Sequence, residues 1–216
     1  MALPLPLRNP LADLILASLH DVEARRALDA VATLCIEPPG QPRIVNVPGR
    51  VPREFLEEHA GALRLKNEWR EHAADLGERS SRASRAIDGR PLDPPDATLE
   101  SALDAAAILF DAGLYFEVHE LLESHWLRAE SSDRIALQGL IQVAVGFEHL
   151  VNSNLKGGYA LLASGCDKMQ CSTLPGLDVG RFARDVRAFV TDGVARGGTS
   201  LRPFDRAAVP RFPSRD

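Results

Sequence analysis

The alternation of apolar and polar positions is most informative between Phe110 and Gly157. Asp111-Ala112-Gly113 predicts a stop, with Gly113 as the left-handed residue that ends one helix. Leu114 to Ala129 then follows a helical period of about 100° per residue. His119, Glu123 and Trp126 share one face, with Tyr115, Phe116 and Leu122 beside them. Glu117, Ser124 and Arg128 fall on the opposite, wetter face, and Glu120 at the flank. A second helix, from about Asp133 to Asn152, is apolar nearly all round, as a buried helix is. Gln138, Gln142 and His149 nevertheless line up along it, and Gly139 and Gly146 make a second face that another backbone can approach closely. Buried amides and imidazoles need partners, since each unpaired group costs about 1–3 kcal/mol. The spacing therefore predicts that this stripe faces His119 and Glu123.

The remaining periods are helical as well. Leu11 to Ile36 reads as one long helix or two short ones, started by Asn9 and Pro10. Arg43 to Val51 could form a short extended piece but predicts no sheet. Pro52 to Leu76 reads as helix with Gly77 as its stop, and His59 and His72 as solvated helix residues. Ser80 to Pro95, with its SSRASR and PLDPP runs, reads as a linker. Asp96 to Asp111 is the next helix. Beyond the central pair, Asn154 caps a helix from Lys156 to about Gln170, and Asp178 caps a last one to about Ala195.

These elements predict an all-α protein: a compact array of about five helices over 96–195, a helical N-terminal extension and linker over 1–95, and an irregular C-terminal tail over 196–216.

Composition narrows the function classes. The chain has 216 residues, long enough for one or two domains with a sizeable core. A net charge of −5 gives no electrostatic reason to expect nucleic acid or an anionic membrane as partner. Cys35, Cys166 and Cys171 are odd in number and form no CxxC, which argues for reduced cysteines in a cytoplasmic protein. No run reaches the roughly 18 uncharged residues of a membrane span, and the first ten residues are not of signal-peptide type. Neither a P-loop nor a dinucleotide fingerprint is present. Asn154 to Gly158 could hold an anion at a helix start, though capping and close packing explain those residues as well.

The run Phe110, Asp111, Gly113, Tyr115, Phe116, Glu117, His119, Glu120, Leu122, Glu123 and Trp126 continues with Leu137, Gln138, Gly139, Leu140, Ile141, Gln142, Ala144, His149, Asn154 and Gly157. Over roughly Leu99 to Val194 it resembles the domain of unknown function 309 family, also labelled predicted metal-dependent hydrolases. Asp111 stands where the family usually has Asn, and Gly158 where it has Ala. The resemblance implies a helical fold and, through its label, metal-dependent hydrolysis; a small-molecule substrate is the partner expected.

Three kinds of chemistry fit the central residues. In the first, His119, Glu123 and His149 form a 2-His-1-carboxylate set for zinc, or for iron or manganese. Gln142 or Glu120 then serves as a further ligand, an orienting group or the base acting on bound water, with Glu120 and Glu123 as the catalytic carboxylates. His119 to Glu123 reads HELLE, which resembles zinc-peptidase spacing but ends in Glu where those helices have His. In the second, a His119–Glu123 pair does metal-free acid–base work; Ser124 lies on the outer face, and His125 is structural. In the third, the domain is a non-enzymatic interaction or structural module. His119, Glu123, Gln138, Gln142 and His149 are then a buried hydrogen-bond network, supported by Tyr115, Trp126 and Glu117. So apolar a module also makes self-association into a homo-oligomer plausible.

Overall fold

A computed structural model of the chain describes residues 3–36, 52–59, 62–94, 97–195 and 204–213. The piece expected over Arg43 to Val51 lies outside them. The protein is predominantly α-helical, with eight α-helices and one two-stranded hairpin among the described residues. It divides into two compact units at Ala97–Thr98.

In the first unit, α1 spans Leu5–Ala17 and α2 spans Val22–Ile36. Helix α1 begins earlier than the Asn9-Pro10 signal: Pro4 is its N-cap and Pro6 lies in its first turn, where a missing N–H costs nothing. Pro10 therefore sits inside the helix. Arg25 ties the α1–α2 corner to the segment after α3 (Ala73–Ile87), donating to the carbonyls of Ser18 at 2.7 Å and Arg90 at 2.6 Å.

Residues 52–76 are not a helix. Leu56–His59 (β1) pairs antiparallel with Ala62–Leu65 (β2), Leu56 facing Leu65 in register, and Asn67–His72 is a 3-10 turn. Phe55, Leu56 and Leu63 are buried by this arrangement. Their packing overrides the weak helical preference of a Glu-, Leu- and Ala-rich run. Gly77 is no stop but lies inside α3, where a Cβ would come 2.8 Å from Cys35 Cβ on α2. Helix α3 continues through much of the stretch read as linker: Leu76, Ser80, Ala83 and Ile87 are its buried stripe. The Ser80 hydroxyl is satisfied by the Leu76 carbonyl at 2.7 Å. His59 is a strand residue, and His72 ends the 3-10 turn with 16% of its side chain exposed, so neither lies in the α-helix expected.

The second unit is the five-helix array. Helix α4 spans Leu99–Asp111, α5 Tyr115–Arg128, α6 Ser131–Val151, α7 Leu155–Gln170 and α8 Val179–Ala195. Each packs on the next in sequence. Thr98 caps α4, Asn154 caps α7 by accepting the Gly157 N–H at 3.2 Å, and Asp178 accepts the Arg181 N–H at 2.7 Å at the start of α8. Helix α4 ends at Gly113 with φ of 72°. The Leu114 N–H reaches back to the Leu109 carbonyl at 2.9 Å and the Gly113 N–H to that of Phe110 at 2.8 Å, a Schellman closure.

Helices α6 and α7 meet backbone to backbone. A Cβ on Gly139 would lie 2.9 Å from the Gly165 carbonyl oxygen, and one on Gly165 2.8 Å from that of Gly139. Gly146 and Gly158 oppose each other in the same way, so the pair is antiparallel with two glycine contacts along it. The core beneath is aromatic. Phe110 contacts Tyr115, Phe147, Phe182 and Phe212 with ring centroids 5.0–5.7 Å apart. Phe212 comes from the C-terminal segment, whose described residues 204–213 lie against this core: Phe212 is buried, and its N–H donates to Asp111 Oδ1 at 3.0 Å. Among the described residues no helix is long and apolar enough to cross a membrane.

Candidate functional site

Helix α5 is flanked by α4 and α6, and this decides which of its side chains stay wet. Leu114, Tyr115, Val118 and Leu122 face the core. Glu117, expected on the wet side, is fully buried, because a helix covered on two flanks keeps only a narrow exposed strip. Ser124, Leu127 and Arg128 make up that strip near the C-terminal end. Tyr115 is a core aromatic, edge-on to Phe110 at 5.0 Å.

His119, Glu120 and Glu123 converge at the rim of the unit. Nδ1 of His119 lies 3.1 Å from Glu120 Oε1, and Nε2 lies 4.0 Å from Glu123 Oε2. The first distance is short but misaligned: Nδ1 is buried and makes no hydrogen bond. One ligand atom from each residue falls within 4.8 Å of the others, and no other such group of three is found among the described residues. Their side chains are 25%, 36% and 47% exposed, so the cluster is reachable by water rather than sealed in the interior.

Phe116 stands beside the imidazole at 6.0 Å. One turn beyond Glu123, Trp126 carries the Arg134 guanidinium 4.6 Å from its ring centroid. The same Arg134 donates to the carbonyls of Trp126 at 3.1 Å, Leu127 at 3.4 Å and Ala129 at 3.3 Å. It thereby closes the C-terminal end of α5, where a cation is favoured by the helix dipole. Trp126 Nε1 is buried without a hydrogen-bond partner. His125, on the other flank, has its imidazole held below the ordinary value by burial and then by Arg128.

The α6 stripe bonds elsewhere. Gln142 Oε1 accepts the Ser164 hydroxyl of α7 at 3.2 Å, and Lys168 Nζ donates to that hydroxyl at 3.3 Å. His149 is not part of the His119 cluster; its Nδ1 lies 2.8 Å from Asn154 Nδ2. Because Asn154 Oδ1 already accepts the Gly157 N–H, the amide must present Nδ2 to the ring. His149 Nδ1 is then an acceptor, and Nε2 carries the proton. Gln138, half-buried, makes no side-chain hydrogen bond among the described residues. No hydrogen bond joins His119, Glu123, Gln138, Gln142 and His149 to one another among the described residues, so they are not one buried network.

Sequence reasoning missed Ser164, Lys168 and Arg134. The i, i+4 spacing of Ser164 and Lys168 was a usable sign, since it puts both on one face. Arg134 had none, because its role depends on how α5 and α6 turn into each other.

Comparison with curated proteins and with solved structures gave no match. A family model does match residues 103–161, from the middle of α4 through α5 and α6 into α7, and so contains the whole His119 cluster, Trp126, Gln142 and His149. That model is of the family described as Domain of unknown function (DUF309), which the chain resembles over residues 103–161.

Proposed function

We infer that His119, Glu120 and Glu123 form a divalent-cation site and that the second unit acts as a metal-dependent hydrolase on a small-molecule substrate. The observation that carries this reading is the convergence of one nitrogen and two carboxylates within 4.8 Å on one helical face. The donor set fits such an ion. Imidazole and carboxylate suit zinc, iron or manganese, and the buried His119 Nδ1 has no hydrogen bond to give up.

When bound, the ion would supply a Lewis acid that acidifies a water molecule. The chain's own residues do the rest. His119 and Glu120 hold the ion, and Glu123, the most exposed of the three, completes the set and accepts the proton that water loses. His149 is outside this ligand set; with its proton on Nε2 it is a hydrogen-bond donor. Phe116 borders the imidazole of the cluster with apolar surface.

One observation favours a second reading, a non-enzymatic helical domain. Gln142 and His149 each commit a hydrogen bond to a neighbour that fixes helix packing.

Titration with Mn2+ under NMR observation tests the site. Paramagnetic broadening centred on the amides of residues 119–123 is expected at low ion-to-protein ratio. Broadening spread evenly over exposed carboxylates would remove the site and leave the second reading.

A further inference from the structure

Helix α7 carries an ammonium group without a counter-charge. Lys168 is half-buried, its ammonium donates to the Ser164 hydroxyl at 3.3 Å, and no carboxylate pairs with it among the described residues. Its neighbour Asp167 is engaged elsewhere, with Arg187 at 2.6 Å. This occurs in a chain of net charge −5, where acidic partners are plentiful. A lysine ammonium has three donors, so two remain for a ligand.

The surroundings are polar and held in place. Ser164 donates to Gln142 Oε1 at 3.2 Å and therefore receives from Lys168, which orients the ammonium. The Gln142 amide nitrogen has no partner among the described residues and is a further donor beside it. The close contact of Gly139 with Gly165 brings α6 and α7 near enough for these short links. No carboxylate belongs to the array.

We propose that Lys168, Gln142 and Ser164 form a subsite for an oxyanion, the phosphoryl or carboxylate group of a small ligand. Lys168 supplies the charge, Gln142 Nε2 a second donor, and Ser164 positions the ammonium. The same α6 face leads towards the proposed cation site. Gln138 is one turn from Gln142 and one turn from Arg134, and Arg134 lies over Trp126 on α5. A ligand with an anionic end at Lys168 and a hydrolysable bond near His119 fits that order. This last step rests on the reading of the cation site; the subsite itself does not.

The test uses the full chain stripped of metal by chelation and titrated with inorganic phosphate or acetate at constant ionic strength, read by amide shifts. Saturable shifts at residues around 142, 164 and 168 are expected. Lys168→Gln should weaken binding roughly tenfold, the loss of one charge-assisted contact, while Lys168→Arg retains it. Ser164→Ala, a smaller change in the fold, should weaken binding less. Tighter phosphate binding assigns a phosphoryl group and tighter acetate binding a carboxylate; either supports the subsite. Shifts that never saturate, or a Lys168→Gln protein that is folded and binds like wild type, overturn it. Metal-free protein keeps this result separate: a failed cation site leaves phosphate binding unchanged.

Discussion

Gly146 on α6 and Gly158 on α7 face each other so closely that neither tolerates a side chain: a Cβ on Gly146 would lie 3.1 Å from the Gly158 carbonyl oxygen, and one on Gly158 2.9 Å from that of Gly146. Each would also press on a leucine, Leu162 or Leu150. A leucine can turn aside, but a backbone carbonyl can move only with its helix. Gly146→Ala is therefore expected to destabilise the second unit by about 1–3 kcal/mol, the range for overpacking. Urea unfolding followed by Trp126 fluorescence in a Trp69→Phe background measures it. An unchanged midpoint would mean that the helices separate easily.

Asp111 links the end of α4 to the C-terminal segment through two different bonds. Its Oδ1 accepts the Phe212 N–H at 3.0 Å, and its Oδ2 pairs with Arg211 at 2.9 Å. Arg211 is 85% exposed, and such a pair contributes little. Asp111→Asn should thus keep residues 204–213 in place, while Asp111→Ala should release them. Limited proteolysis separates the cases: cleavage within 204–213 is faster in the alanine variant alone. Equal rates in both variants would show that Phe212 burial, not the hydrogen bond, holds the segment.

The three cysteines differ sharply in reactivity. Burial pushes the Cys35 thiol up to about 12 and that of Cys166 to about 11, whereas Cys171 is exposed. At pH 8 iodoacetamide should label Cys171 alone, and all three after denaturation. Raised thiol values also fix the sign of a pH effect. Between the ordinary value of 9.0 and about 11–12, the unfolded chain loses protons that the folded chain keeps. Stability should be unaffected by these thiols below that window and fall as pH rises through it. Labelling of Cys35 or Cys166 in the native protein at pH 8 would contradict their burial.

The parts of the fold legible in the sequence were those written in local signals. Gly113, Asn154 and Asp178 each mark a helix boundary with a hydrogen bond of their own, and each is found at its boundary. Gly139 and Gly146 likewise announced a close helix contact. The first unit was harder, because its information lies in tertiary contact. Ser80 and Ala83 look like linker residues until α2 is packed over them, and Gly77 looks like a stop until Cys35 is seen against it. Within the candidate site, His119 and Glu123 were readable from the i, i+4 spacing. The amide and imidazole of α6 were not, since Ser164 and Asn154 offered them nearer partners than α5 did.

Metal content measured on purified protein after loading with zinc or manganese and removal of free ion tests the cation site most directly. One ion per chain is expected in the wild type, lost in His119→Ala and in Glu123→Gln, and retained in His149→Ala, whose imidazole nitrogen is committed to Asn154. No bound ion in the wild type, or an ion that survives His119→Ala, would contradict the assignment of His119, Glu120 and Glu123 as its ligands.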